Sequence, residues 1–192
     1  MKRRAVFMDR DGTVSEEVGY VNHPSRFRLF PYAAQAIRQL NEHGWLAILI
    51  TNQAGVARGY FTEAMVQEIH GLLTGQLESG GARLDAIYYC AHHPTAGTSE
   101  YRVDCECRKP KPGLIQQAAN AFDIDLSASW MVGDRYGDIQ LARNAGMHAA
   151  LVLTGYGRGE WEYQRQTWQT EPDLVATDLA EAVRKIVAGN TA

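Results

Sequence analysis

The sequence predicts a three-layer α/β fold in which helices cover both faces of a Rossmann-like parallel sheet. Short apolar runs of strand length alternate with amphipathic segments of helical spacing along the 192 residues. Three of the apolar runs lead directly into polar side chains, as expected where parallel strands present ligand-binding groups at their carboxyl ends. With 45% hydrophobic residues, the chain can bury a full core around such a sheet.

The N-terminal half contains the clearest strand and helix patterns. The apolar run Ala5–Met8 predicts the first buried strand. Apolar residues recur at three- and four-residue spacing in Tyr32–His43, and the glycine that follows is a common helix stop, so we predict a helix there. The run Leu46–Ile50 predicts the second strand, and Thr62–Leu77 predicts a helix whose N-cap is Thr62.

The C-terminal half repeats this alternation in shorter elements. Strands are predicted where short apolar runs are bounded by polar residues or glycine, at Leu84–Tyr89, Trp130–Val132, Ala149–Leu153 and Leu174–Ala176. Helices are predicted where apolar residues recur at helical spacing, at Gly113–Phe122, Asp138–Asn144 and Leu179–Val187. The segment Cys90–Pro112 shows neither pattern, and irregular segments of this length usually carry function or a local cross-link.

The chain as a whole has the character of a single globular unit. We expect residues 1–192 to form one domain, because no repeat, low-complexity tract or linker divides them. A net charge of −3 gives no reason to expect nucleic acid or an anionic membrane as a partner. No apolar run approaches the roughly 20 residues of a membrane span, and no secretory segment is evident, so we expect a cytoplasmic protein. We also expect a monomer.

Two carboxylates, Asp9 and Asp11, follow the first predicted strand in the sequence Asp-Arg-Asp-Gly-Thr. A buried strand that ends in this way can present a nucleophile and a proton carrier together, because the glycine lets the chain turn at once. An acidic turn is the structural alternative, since such turns are common. A calcium loop that began at Asp9 is excluded, because it would need Gly and Glu where the chain has Val14 and Tyr20.

Further polar groups follow the second and fourth predicted strands and precede the third helix: Thr51, Asn52, Asp134, Asp138, Arg108 and Lys109. Each group alone could be a turn or a solvated charge. Together they supply what phosphoryl transfer needs, because carboxylates can attack phosphorus, move protons and hold Mg²⁺. A hydroxyl and an ammonium group can stabilise the phosphoryl oxygens. No Walker loop or dinucleotide fingerprint is present, so ATP or NAD chemistry is not expected.

The ordered set D-x-D-G-T, T-N, R-K-P and G-D-x-x-x-D resembles the haloacid dehalogenase (HAD) superfamily of aspartate-nucleophile phosphatases, over residues 5 to about 153. The resemblance implies a HAD-type sheet and a covalent aspartyl-phosphate intermediate. It makes Asp9 the nucleophile and Asp11 the general acid and base. Thr51 and Lys109 would stabilise the phosphoryl group. Asp9, Asp134 and the backbone carbonyl of Asp11 would bind Mg²⁺.

All three cysteines lie in one short window and form two C-x-[HC] pairs with a histidine: Cys90 with His92, and Cys105 with Cys107. Tetrahedral zinc takes four ligands of this kind. Four protein ligands leave no open position, so the zinc would be structural and would staple a loop insert at about 90–109. His93 is the alternative to His92, and free thiols are the alternative to zinc.

The motifs C-x-H, C-x-C-R-K-P, V-G-Y and T-N-Q-x-G-V-A-R-G together resemble the D-glycero-D-manno-heptose-1,7-bisphosphate 7-phosphatases, compact HAD members without a large cap domain. The resemblance implies hydrolysis of the C7 phosphate, on the route to ADP- or GDP-heptose and lipopolysaccharide. It implies substrate contacts at Glu17, Val18, Gly19, Tyr20, Asn52, Gln53, Ala54, Arg108 and Arg135. The chain departs from the family pattern where Arg135 replaces an expected Lys and Ala54 a common Ser.

Histidinol-phosphate phosphatase is the alternative enzyme. Arg108 and Arg135 could hold a second phosphate, whereas Glu17 could hold the amine of histidinol, so these residues do not separate the two substrates. The chain has no room for the dehydratase domain often fused to that activity, although a free-standing enzyme would look the same. A non-catalytic phosphosugar-binding module is less expected, because it has no use for an intact nucleophile and acid/base pair.

Overall fold

Six strands form one parallel sheet in a computed structural model of the chain, which describes residues 2–98 and 100–189. The strands are β1 (Ala5–Met8), β2 (Leu46–Asn52), β3 (Ala86–Cys90), β4 (Trp130–Gly133), β5 (His148–Val152) and β6 (Leu174–Ala176). Their order across the sheet is β3-β2-β1-β4-β5-β6. The order reverses between β1 and β4, and such a switch point in a parallel sheet opens a crevice at the carboxyl ends of the strands.

Six helices pack on the two faces of this sheet: α1 (Ala33–Glu42), α2 (Glu63–Ser79), α3 (Gly113–Phe122), α4 (Tyr136–Asn144), α5 (Gly157–Tyr163) and α6 (Leu179–Ala188). Successive residues of a strand point to opposite faces. Val6 and Met8 therefore join the core cluster built with α1, α2 and α6. Ala5 and Phe7 join the opposite cluster, built with α3 and α4. This arrangement confirms the predicted three-layer α/β fold.

The predicted elements are all present, with shifted ends. Thr51 and Asn52 are the last residues of β2 and pair in register with β3, whereas the sequence suggested that they follow the strand. Helix α4 begins at Tyr136, two residues before its predicted start. Thr62 is the N-cap of α2, as predicted, and its hydroxyl accepts a hydrogen bond from the Met65 N–H at 3.3 Å.

Among the described residues, α5 is the one α-helix that the sequence did not predict. It spans seven residues, and two of them are glycines, which lower helix propensity. Between β3 and α3, the described residues contain no helix or strand, in agreement with the irregular segment expected there. None of the helices in the described residues is both long and apolar enough to cross a membrane. The extent of the domain and of its loop insert stays a prediction.

Candidate active site

The predicted catalytic residues meet at the carboxyl edge of the sheet, beside a cavity of about 610 Å³. Asp9 directly follows β1, Thr51 lies at the end of β2, and Asp134 directly follows β4. Because these three strands are neighbours and parallel, their ends lie side by side. Residues from all three strand ends and from the loop before α3 line the cavity, including Asp9, Asp11, Thr51, Asn52, Arg108, Lys109, Arg135 and Asp138.

Lys109 is the central cation of the site. Its Nζ lies 2.9 Å from Asp9 Oδ2 and 2.7 Å from Asp138 Oδ1, and all three side chains are largely buried. Burial opposes the charge of the ammonium group, but the carboxylates of Asp138 and Asp9 outweigh it and hold the pKa of Lys109 above its usual range. Asp138 therefore has a definite task in the structure, because it binds Lys109 and places its charge next to Asp9.

The three carboxylates of Asp9, Asp134 and Asp138 offer oxygens that all lie within 4.8 Å of one another. Desolvation by burial, partly offset by Lys109 and reinforced by Asp138, raises the pKa of Asp9 to about 6. Desolvation, together with Asp9 and Asp138, raises the pKa of Asp134 to about 8. One lysine is thus too little positive charge for this cluster, and a divalent cation would relieve the repulsion.

Asp134 provides the most direct evidence that the cluster suits a metal ion. The residue is 1% exposed, and its Oδ1 is buried without a hydrogen-bond partner among the described residues. Its Oδ2 accepts a hydrogen bond from the Tyr156 N–H at 2.8 Å. A Cβ at Gly12 or Gly155 would lie about 2 Å from this carboxylate, and both glycines have positive φ. A buried carboxylate oxygen without a partner is a costly group, and Mg²⁺ prefers such oxygens as ligands.

The side chain of Asp11 is held by a largely buried hydrogen-bond network. Arg10, which is 1% exposed, donates to Asp11 Oδ1 from Nε at 3.0 Å and to Oδ2 from a terminal nitrogen at 2.8 Å. Gln53 donates to Asp11 Oδ2 at 3.1 Å and to Thr51 Oγ1 at 2.9 Å. The buried ring of His70 lies 3.4 Å from Arg10. Sequence reasoning missed Arg10 and His70, because nothing in the pattern marks a buried arginine.

Asn52 connects β2 to the loop that carries the lysine. Its Oδ1 accepts a hydrogen bond from the Lys109 N–H at 3.1 Å, and its Nδ2 donates to the Lys109 carbonyl at 3.3 Å. Both hydrogen-bonding groups of the amide are therefore used on the backbone of Lys109. The predicted substrate-binding residue Asn52 thus lines the cavity but also positions the lysine.

A second candidate metal site lies in the loop that ends at Arg108 and Lys109. The Sγ atoms of Cys90, Cys105 and Cys107 lie 3.0 to 3.5 Å apart, and His92 Nδ1 is 3.4 Å from Cys107 Sγ. A tetrahedral zinc ion with Zn–S bonds of about 2.3 Å needs sulfur atoms about 3.8 Å apart, so a small expansion would admit it. Donation from the other thiols overcomes the effect of burial and lowers the pKa of Cys105 to about 7.

His92, and not His93, belongs to this cluster. The Nε2 of His93 lies 3.0 Å from the guanidinium of Arg58, and its Nδ1 accepts hydrogen bonds from backbone N–H groups of the loop. Arg108 donates to the carbonyl oxygen of His92 at 3.1 Å. The four-ligand cluster is therefore attached directly to the arginine that faces the cavity.

Most of the predicted substrate-binding residues line the cavity. They are Glu17, Gly19, Tyr20, Asn52, Gln53, Ala54, Arg108 and Arg135. Val18 is the exception, since it is absent from the cavity lining and packs against the core cluster of α1, α2 and α6. Apolar side chains favour that environment. The substrate contact of Val18 was implied by the family resemblance, and it stays a prediction. Burial raises the pKa of the Glu17 carboxyl, which also feels the charges of Asp11 and Arg135.

The cavity also has a wall that the sequence analysis did not predict, formed by Tyr136, Tyr156, Glu160 and Gln164. Glu160 Oε2 accepts a hydrogen bond from the Tyr136 N–H at 2.6 Å, which joins α5 to the start of α4. Tyr136 also stacks on Trp168, with ring centroids 4.7 Å apart. Tyr156 follows the carboxyl end of β5. Residues that follow the carboxyl ends of parallel strands lie at the ligand-binding edge of the sheet, so the same rule could have predicted that Tyr156 lines the cavity.

Comparisons with known proteins show which enzymes this chain resembles. Residues 106–182 match a family model described as HAD-hydrolase-like. The D-glycero-D-manno-heptose-1,7-bisphosphate 7-phosphatase of Thermosynechococcus vestitus is 44% identical over 97% of this chain and 96% of its own length. The corresponding beta-heptose enzyme of Haemophilus ducreyi is 44% identical over 81% of this chain and 86% of its own length.

A solved structure shares the fold over nearly the whole chain. It is the crystal structure of D,D-heptose 1,7-bisphosphate phosphatase from B. bronchiseptica, complexed with magnesium and phosphate. The two structures superimpose with a TM-score of 0.86 at 34% sequence identity, covering 97% of this chain and 99% of the other.

Proposed function

Because the chain belongs to the heptose-1,7-bisphosphate 7-phosphatase family of HAD hydrolases, we propose that it removes the C7 phosphate of D-glycero-D-manno-heptose 1,7-bisphosphate. The observation that carries the proposal is the 44% identity to such an enzyme over almost the full length of both chains. The geometry supports it, since a buried Asp–Lys pair lies beside a cavity that also exposes two arginines. The protein is a phosphoric monoester hydrolase, and its substrate is a small phosphosugar.

We assign Asp9 as the nucleophile. One of its carboxylate oxygens attacks phosphorus, and the bond from phosphorus to the C7 oxygen of the sugar breaks. Lys109 favours the ionised form of Asp9, which nucleophilic attack requires, because its ammonium lies 2.9 Å from the carboxylate. Lys109 and the hydroxyl of Thr51 then stabilise the negative oxygens of the phosphoryl group.

We assign Asp11 as the general acid and base. Its carboxyl group gives a proton to the departing C7 alkoxide, and the resulting carboxylate takes a proton from the water that attacks the aspartyl-phosphate. The bond between phosphorus and Asp9 breaks in that second step, which releases inorganic phosphate and restores the nucleophile. Hydrogen bonds from Arg10 and Gln53 hold the Asp11 side chain in one orientation.

The donor sets fit two metals with different tasks. Asp9, Asp134 and the backbone carbonyl of Asp11 would hold Mg²⁺, which supplies positive charge next to the phosphoryl oxygens when it is bound. The unpartnered buried Oδ1 of Asp134 supports that assignment. The four-ligand cluster of Cys90, His92, Cys105 and Cys107 would hold a structural zinc ion.

The second phosphate is the group that distinguishes the heptose bisphosphate from histidinol phosphate as a substrate. Arg108 and Arg135 line the cavity without forming an ion pair within the described residues, so both can bind a second anion. Glu17, which could bind an amine, has its Oε1 engaged by the Gly19 N–H. We further infer a monomer that acts in the cytoplasm, without a nucleic-acid or membrane partner.

A phosphate-release assay tests the proposed function. The purified protein with Mg²⁺ is compared on heptose 1,7-bisphosphate, histidinol phosphate and fructose 1,6-bisphosphate. We expect the highest kcat/KM on the heptose bisphosphate, with heptose 1-phosphate as the product. A higher kcat/KM on histidinol phosphate would show that the proposed substrate is wrong and that the alternative enzyme is right. The Asp9→Asn protein serves as the inactive control.

A further inference from the structure

One arginine of the cavity, Arg135, influences the Glu17 carboxyl but forms no salt bridge with a described residue. Arg135 lies between β4 and α4, and its guanidinium forms no salt bridge or side-chain hydrogen bond with the described residues. Two other cations of the site are already paired, since Arg10 binds Asp11 and Lys109 binds Asp9. A guanidinium with unused donors at a cavity wall can bind an anion through two parallel hydrogen bonds.

The ring of Tyr156 lies against this guanidinium. The Arg135 Cζ is 3.7 Å from the ring centroid, well within the range of a cation–π contact. Both residues line the cavity. The ring thus limits the positions that the guanidinium can take, while its five N–H donors lie in the guanidinium plane and stay available.

The backbone of Tyr156 is itself held firmly. Its N–H donates to Asp134 Oδ2 at 2.8 Å, and the Thr154 hydroxyl donates to the Gly12 carbonyl at 2.6 Å. A Cβ at Gly157 would lie 1.9 Å from the Val152 carbonyl, so the chain is closely packed on both sides of the tyrosine. The backbone that carries the ring is therefore fixed by the same strand ends that carry the catalytic carboxylates, while the side chain itself is 43% exposed.

We propose that Tyr156 is a positioning residue that holds the guanidinium of Arg135 ready for the second phosphate of the sugar bisphosphate. This inference rests on the proposed function for the identity of the anion. An arginine that is already ordered loses less conformational freedom on binding, so the contact favours the bisphosphate over a monophosphate of the same sugar. Tyr156 contributes through its ring face, since nothing in the geometry requires its hydroxyl group.

The kinetic test compares Tyr156→Leu and Tyr156→Phe on heptose 1,7-bisphosphate and heptose 7-phosphate. Both variants keep the backbone N–H that binds Asp134. We expect Tyr156→Leu to lower kcat/KM for the bisphosphate about 3- to 30-fold, mainly through KM, with a much smaller loss on the monophosphate. Tyr156→Phe keeps the ring and should restore most of the wild-type value. Tyr163→Leu, at the 83% exposed end of α5, is the matched control.

A double-mutant cycle identifies the partner of the ring. In an Arg135→Ala background, Tyr156→Leu should cause less than a twofold further loss on the bisphosphate, because the group that it positions is gone. Equal losses on both substrates, a loss in Tyr156→Phe as large as in Tyr156→Leu, or an undiminished effect in the Arg135→Ala background would each overturn the proposal.

A spectroscopic measurement separates this proposal from the proposed function. The Arg135 Hε resonance should show a ring-current shift in the wild type and in Tyr156→Phe, and the shift should vanish in Tyr156→Leu. If the wild type fails to hydrolyse the heptose bisphosphate but keeps this shift, the proposed function and the assigned anion fail while the positioning contact stands. If no ring-current shift is present in the wild type, the positioning role is wrong whatever the substrate.

Discussion

Replacing Arg108 tests how the enzyme recognises its second phosphate. One terminal nitrogen of its guanidinium donates to the His92 carbonyl at 3.1 Å, which leaves most of its five N–H donors free to face the cavity. Arg108→Ala removes these donors. Arg108→Lys keeps the positive charge but loses the planar, bidentate geometry, so its activity should fall between those of the wild type and the alanine variant.

The expected size of the effect follows from the kind of contact that is lost. A hydrogen bond to a charged group contributes roughly 1.5–3 kcal/mol, which corresponds to about 10- to 150-fold in kcat/KM. This loss applies to heptose 1,7-bisphosphate, because its second phosphate contacts the arginine. Heptose 7-phosphate lacks that group, so its kcat/KM should fall by less than about threefold.

The assay measures phosphate release from both substrates under kcat/KM conditions. Arg58→Ala is the matched control, because Arg58 is a nearby cation of the same surface that binds His93 and does not line the cavity. The zinc content of Arg108→Ala should be measured as well, since Arg108 is bonded to the backbone of a predicted zinc ligand. Equal losses on the two substrates at normal zinc content would refute the reasoning and would place Arg108 at the transferring phosphoryl group.

Three further predictions concern catalysis, metals and pH. Asp9→Asn should lower turnover by several orders of magnitude and Asp11→Asn by about 10²–10⁴-fold; a tenth of the wild-type rate in Asp9→Asn would exclude the covalent route. Removing Mg²⁺ should stop phosphate release reversibly without changing the circular dichroism spectrum. Cys107→Ser should instead lower the zinc content, and less than about half an equivalent of zinc in metal-replete wild type would exclude the four-ligand site. Burial lowers the pKa of His70 from 6.5 to about 4 in the folded protein. As the pH falls, this histidine therefore binds a proton in the unfolded chain before it does so in the folded protein. The free energy of unfolding should therefore drop by about 3 kcal/mol between pH 7 and pH 4 relative to a His70→Gln variant. Urea unfolding measures this difference, and a variant of the exposed His43 that behaved like His70→Gln would contradict the assignment.

The pattern of polar side chains after buried strands predicted that the candidate catalytic residues lie together. Asp9, Thr51 and Asp134 lie far apart in the chain, yet each ends a strand of a parallel sheet. Since the carboxyl ends of neighbouring parallel strands share one edge, the pattern implies that these residues meet. The cysteine and histidine cluster was equally predictable, because two C-x-[HC] pairs at the ends of one loop can converge on a single ion.

The sequence pattern could not show how the charges around this site are balanced. Whether Lys109 binds Asp138, and whether Arg10 binds Asp11, depends on side-chain directions that only the packed structure determines. The same holds for the ring of Tyr156 against Arg135, which brings together residues 21 positions apart through the packing of two strand ends.

The sequence by itself determined the fold class, the order of the elements and which residues could do chemistry, because these depend on local periodicity and on residue type. The tertiary structure alone decided which cations stay available for a substrate, and it placed the partly buried Val18 side chain against the core cluster of α1, α2 and α6. The physical reason is that burial and pairing of a charge are properties of the surroundings in three dimensions. A residue's own identity does not specify them.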